Sequence, residues 1–98
     1  MSKQAVGILG LAYRSRNTAT GDGVIKSIQK KQARLIVIAD DCGDNMRKKL
    51  IDKCTFYQVV YCFMEAGEIN QAMGTENRKS VAILDEGFAQ KLHTCLKG

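Results

Sequence analysis

Residues 35–38 read Leu-Ile-Val-Ile, with Ala33-Arg34 before them and Ala39-Asp40-Asp41 after. Successive side chains of a strand point to opposite sides of its sheet, so a run with no polar position needs cover on both faces. A strand over 33–41 therefore requires helical layers above and below it. The rest of the chain supplies them. Val6, Ile8, Leu9, Leu11 and Ala12 recur at helical spacing and predict a helix over 4–15. Asn17-Thr18-Ala19-Thr20 breaks that pattern and leaves room for a short strand. A second helix is expected over 21–31, with Val24, Ile25 and Ile28 as its buried stripe.

After the central strand, Asp40-Asp41-Cys42-Gly43-Asp44 predicts a turn and a helix cap. A basic helix follows over 45–54, then a second strand over 58–63 (QVVYCF). A short helix over 65–73 is closed by Gly74, which suits a left-handed C-terminal cap. A third strand over 79–84 leads to a last helix over 85–96 that Asp85 can cap. Helices and strands alternate, no internal repeat or linker intervenes, and the chain contains no proline. The expected fold is α/β, a three-layer α/β/α sandwich with a small mixed sheet, formed by one domain over 1–98.

Charge narrows the partners. Residues 1–49 hold ten Lys/Arg against four Asp/Glu, and residues 50–98 five against six. A basic half favours a polyanion, and nucleic acid ranks before membrane because no basic amphipathic anchor stands out. No apolar run approaches the roughly 20 residues of a membrane span, and the N-terminal stretch has no signal-peptide cleavage region. The expectation is a cytoplasmic protein without a membrane partner. Cys42, Cys54, Cys62 and Cys95 contain no C-x-x-C pair, and His93 is the single histidine, so no metal site or cofactor is expected. The cysteines read as reduced packing residues.

Three chemistries compete for the remaining motifs. Thr20-Gly21-Asp22-Gly23-Val24-Ile25-Lys26-Ser27 looks like a shortened phosphate loop, but it lacks the glycine spacing that wraps backbone N–H groups around phosphates. Asp40-Asp41 ends the central strand, where α/β sheets place ligands, yet no second acid, histidine or nucleophile is tied to it. No catalytic constellation emerges, and an enzyme is not expected. RNA binding is the third. Asp22, Lys26 and Lys30 fall at i, i+4 and i+8 on one helix face. As a solvated face they would amount to little more than an Asp22–Lys26 pair. As an RNA face, glycines would admit a ligand backbone and the lysines would meet phosphates. Composition alone leaves both readings open.

From Val6-Gly7-Ile8-Leu9-Gly10-Leu11-Ala12 onward the chain resembles the ribosomal protein L7Ae family of kink-turn RNA-binding proteins, most of all its small bacterial members. The landmarks are ILGLAYRSR, the Lys26-bearing helix, QARLIVIADD, NMRKKLIDKC, EINQAMG and VAILDEGFAQKL, in order over almost all 98 residues. The resemblance implies an α/β/α sandwich that binds RNA without catalysis. It implies a G-x-N-E-x-x-K motif that reads tandem sheared G·A pairs at the start of the second helix. A second loop after A-x-G would cover a flipped-out nucleotide. Lys26 matches the motif lysine, and Ala72-Met73-Gly74 the second landmark. Thr20 stands at the motif glycine, and Asp22-Gly23 where the family has Asn-Glu.

The residues expected to contact RNA are Thr20, Gly21, Asp22, Gly23, Lys26 and Lys30, with Gly74, Thr75, Glu76, Asn77 and Arg78 forming the second contact. The implied partner is a kink-turn or related bent internal loop, ribosomal RNA included, bound by a monomer, with the ribosome or another protein as a further partner. A competing class keeps the fold as a protein-interaction module, using the basic face over 46–53. A small-molecule site at Asp40-Asp41 is a third.

Overall fold

A computed structural model describes residues 3–97. Among them the order is α1 (Lys3–Arg14), β1 (Thr18–Ala19), α2 (Asp22–Gln29), β2 (Leu35–Ala39), α3 (Asp44–Tyr57), β3 (Tyr61–Met64), α4 (Ala66–Met73), β4 (Ser80–Ile83) and α5 (Glu86–Lys97). The strands form one sheet in the order β1-β4-β2-β3. β2 runs parallel to β3 and antiparallel to β4, which is antiparallel to β1, so the sheet is mixed.

β2 is buried at all five positions, as its unbroken apolar run requires. Alternation along it divides the core in two. Leu35, Val37 and Ala39 point to one face, where Val81 and Ile83 of β4 join them under Ala5, Leu9 and Ala12 of α1, Ile69 and Met73 of α4, and Leu92 of α5. Ile36 and Ile38 point to the other, where Ala82 joins them under Val24 and Ile28 of α2 and Leu50 and Cys54 of α3. The result is a three-layer sandwich with α1, α4 and α5 on one side and α2 and α3 on the other. Gly10 is buried, and a Cβ there would stand 3.2 Å from the Ala72 carbonyl oxygen, so α1 and α4 pack closely because this residue has none.

The structure corrects four details. The buried stripe of α1 is Ala5, Leu9 and Ala12, while Leu11 is 53 % exposed. In α2, Ser27 is buried beside Val24 and Ile28, its hydroxyl donating to the Val24 carbonyl at 2.7 Å. Ile25 is only partly buried against that cluster. Helix α3 runs on to Tyr57 and ends at Gln58 in the left-handed conformation (φ 59°), with the Val59 N–H bonded to the Cys54 carbonyl at 2.8 Å. That turn occupies the start of the expected second strand, and β3 begins only at Tyr61.

The fourth concerns the Asp40–Asp44 turn. α3 is entered through Gly43 without a side-chain cap. Asp40 instead accepts from the Ala66 N–H at 3.1 Å and so caps α4, 26 residues away. Gly74 closes α4 in the left-handed conformation (φ 67°), and Asp85 caps α5 through the Phe88 N–H at 2.9 Å, both as read from the sequence.

Candidate nucleic-acid interface

The start of α2 and the loop from α4 to β4 meet at one edge of the two-helix layer. Gly21 precedes α2 with φ 58° and ψ −133°, a conformation that favours glycine. A Cβ added there would lie 3.8 Å from Arg78 Nη1, so the helix entrance and the loop are in contact distance. Between them runs a groove of about 460 Å³, which Gly21, Asp22, Lys26, Asn77 and Arg78 help to line. Val24, Ile25 and Gln29 of α2, Met46, Lys49 and Leu50 of α3, and Lys79-Ser80 complete its lining.

The two sequence landmarks, about fifty residues apart, thus share one surface. Thr20 and Gly23 shape the turn instead of lining the groove; the Gly23 N–H bonds to the Thr20 carbonyl at 3.0 Å. Lys30 is exposed at the other end of α2, about 12 Å along the axis from its start, and does not join. Gly74, Thr75 and Glu76 carry the chain from α4 towards Asn77 without lining the groove. Asp22 occupies the first turn of α2 but is not its cap, since Gly21 holds that position without a side-chain bond. Nor does Asp22 pair with Lys26. Among the described residues the ion pair within 4 Å is Lys79 to Asp41, at 2.8 Å.

Asn70 organises the second loop. Its side-chain oxygen accepts from the Thr75 hydroxyl at 2.6 Å and from the Arg78 N–H at 2.8 Å, while its amide nitrogen donates to the Ala66 carbonyl at 2.8 Å. One amide on the other helical layer therefore fixes both ends of the 75–78 segment. Asn70 and Lys79 are not among the contacts expected from the sequence, and Met46 and Lys49 enter there only through the basic face over 46–53 offered to a protein partner. Asn70 does lie in the EINQAMG landmark and Lys49 in NMRKKLIDKC, which were the available signals.

Burial governs three of the four cysteines. Burial pushes the Cys54 thiol up to about 11 and the Cys62 thiol up to about 12, and it also raises Cys42. A protonated, buried thiol is a poor nucleophile. Among the described residues no group of three or more His, Cys, Asp or Glu is placed to hold a metal ion. No helix among them is long and apolar enough to cross a membrane. The arrangement offers positive charge, backbone and one carboxylate to an extended ligand.

Comparison with known proteins places this geometry in context. The chain is 41% identical over 91 residues to the RNA-binding protein YlxQ of Bacillus subtilis (strain 168), covering 91% of each. It is 34% identical to the RNA-binding protein YlxQ of Enterococcus faecium, over 98% of this chain and 94% of the relative. A solved structure of a protein of unknown function from Bacillus halodurans C superposes with a TM-score of 0.93 at 31% identity, over 99% of this chain and all of that one. The model of the ribosomal protein L7Ae/L30e/S12e/Gadd45 family matches residues 8–93, and the chain belongs to that family.

Proposed function

We propose that the protein binds RNA without catalysis, gripping a kink-turn or related bent internal loop in the groove between α2 and the 74–79 loop. The observation that carries this reading is the convergence of Gly21, Asp22 and Lys26 with Asn77 and Arg78 on one surface. The two relatives named as RNA-binding proteins support it. Lys26, Lys49 and Arg78 supply cations at phosphate height, and the Asp22 carboxylate accepts from a base amino group such as that of guanine. Gly21 and Gly23, with no side chains, let the RNA approach the backbone. Thr20 shapes that entrance through its carbonyl, and Gly74, Thr75 and Glu76 set the path of the second loop. Lys30, beyond the groove, contacts only flanking phosphates. Ribosomal RNA in the cytoplasm is a fitting source of such a loop, and one copy of the chain suffices to build the surface.

Phosphate contacts make affinity fall with salt, whereas discrimination rests on base edges. The test is affinity for a kink-turn RNA beside the same RNA with its G·A pairs replaced. Tighter binding of the intact kink-turn is expected; equal affinity would leave charge attraction alone. Lys26→Ala should weaken binding and lower the salt slope by about one unit, the value of one phosphate contact. An unchanged slope removes Lys26 from the contact set.

A further inference from the structure

Helix α3 carries a second surface, distinct from the groove but continuous with it. Lys49, Lys53 and Phe56 lie at i, i+4 and i+7 and so form one stripe along the helix. Together with Lys48, Asp52 and Tyr57 they line a shallow groove of about 610 Å³. Phe56 is 78 % exposed, the most of the exposed large apolar side chains. Its ring meets that of Tyr57 in a T-shaped contact, with centroids 4.9 Å apart at 77°. A side chain that exposed adds little to the core and leaves most of its ring in contact with solvent. Arg47, the other cation of α3, is turned back onto the Asp40 and Cys42 carbonyls at 3.2 and 3.3 Å. That leaves three lysines against Asp52 on the outer face.

Lysines flanking an open aromatic ring are the combination that holds single-stranded nucleic acid: the cations follow the backbone and the ring stacks on a base of any identity. Lys49 lines both grooves, so a strand leaving the first can continue along α3 without a break in positive charge. We infer that the outer face of α3 binds an unpaired RNA segment flanking the structured site, with Phe56 stacking on one of its bases and Lys49 and Lys53 meeting its phosphates. The inference rests on the groove being the RNA site, and it adds a sequence-tolerant extension to that site. A protein partner would also use an exposed phenylalanine, but the lysines around it favour a polyanion.

The experiment compares the kink-turn RNA with blunt ends and the same RNA carrying an overhang of about eight uridines at either end, a length that outreaches the stripe. The overhang is expected to tighten binding about tenfold, the effect of one or two stacked bases with their phosphates. Phe56→Ala should abolish that gain and leave affinity for the blunt RNA unchanged. Lys53→Ala should lower the salt slope of the overhang RNA alone, by about 0.7 for one single-strand phosphate. Equal affinity for blunt and overhang RNA, or a gain that survives Phe56→Ala, overturns the inference and leaves the groove reading intact. If neither RNA binds, the groove reading fails and free oligouridine decides for α3. Quenching of tyrosine fluorescence by it, lost in Phe56→Ala, supports the stripe; no binding overturns it. Because Phe56 is exposed, the variant is expected to fold, which circular dichroism checks.

Discussion

On one side of the sheet, α1, α4 and α5 close over Leu35, Val37, Val81 and Ile83 with Leu9, Ile69 and Leu92 fully buried. On the other, two helices cover Ile36 and Ile38, and the lysines of α3 gather along one outer face beside the groove. Helix α3 has Arg47, Lys48, Lys49 and Lys53 against Asp44 and Asp52, whereas α4 has Glu68 and no basic residue. The loop 74–79 is where the layers meet: it leaves the three-helix side, is held by Asn70 of α4, and ends against α2. The difference separates two jobs. On the proposed reading the two-helix layer presents the RNA surface, the three-helix layer backs it, and the Asn70 amide couples them.

The comparison is broken most forcefully from the supporting side. Leu9 is fully buried among α1, α4 and the sheet, so Leu9→Ala leaves a cavity and should cost about 2–5 kcal/mol of stability, read by urea unfolding. Under conditions where the variant is folded, its RNA affinity should match the parent's. Lost affinity in a folded Leu9→Ala protein would show that the layers are not separable in this way.

Asn70→Ala tests the coupling. It strips the Thr75 hydroxyl and the Arg78 N–H of their acceptor. A cost of about 1–3 kcal/mol is expected, the range for leaving a partly buried polar group unmet. RNA binding should weaken as well, although Asn70 does not line the groove, because the 75–78 segment loses its anchor. Asn70→Asp keeps an acceptor for both groups and should recover part of the affinity. If Asn70→Ala binds RNA like the parent, the loop does not need fixing, and the second contact is less central than the first.

Much of the framework was legible because it rests on local chemistry. The run Leu35–Ile38 demanded cover on two faces, Gly74 marked a left-handed helix end, and Asp85 stood three residues before the N–H it caps. Local patterns fail where the partner is distant. Asp40 reads as a cap for the helix that follows it, but its acceptor oxygen serves α4 across the parallel β2–β3 edge. Asn70 sits mid-helix with nothing nearby to show that a returning loop will bond to it. The groove was half legible: Lys26 and Ala72-Met73-Gly74 match the family's landmarks, but only the fold brings Met46 and Lys49 of α3 in beside Lys26. Lys30 shares a helical face with Lys26 in sequence, yet it lies past the last residue of α2 and does not line the groove.

The smallest expected effect bears on charge at the meeting point of the layers. Lys79 lines the groove, yet it is paired with Asp41 at 2.8 Å, with side chains 44% and 51% exposed. An ion pair that open to water contributes well under about 1 kcal/mol, so Asp41→Asn should leave the unfolding midpoint almost unchanged. Its effect on RNA should be of the opposite sign to that of Asn70→Ala. Losing the carboxylate frees the ammonium to meet a phosphate and removes a negative charge beside the groove, and both changes favour a polyanion. A gain of a few-fold at low salt is expected, fading towards the parent's affinity as the Debye length shrinks to about 3 Å near 1 M. Weaker binding instead would mean that Asp41 holds Lys79 in its working position, making the pair part of the surface and not a competitor for it.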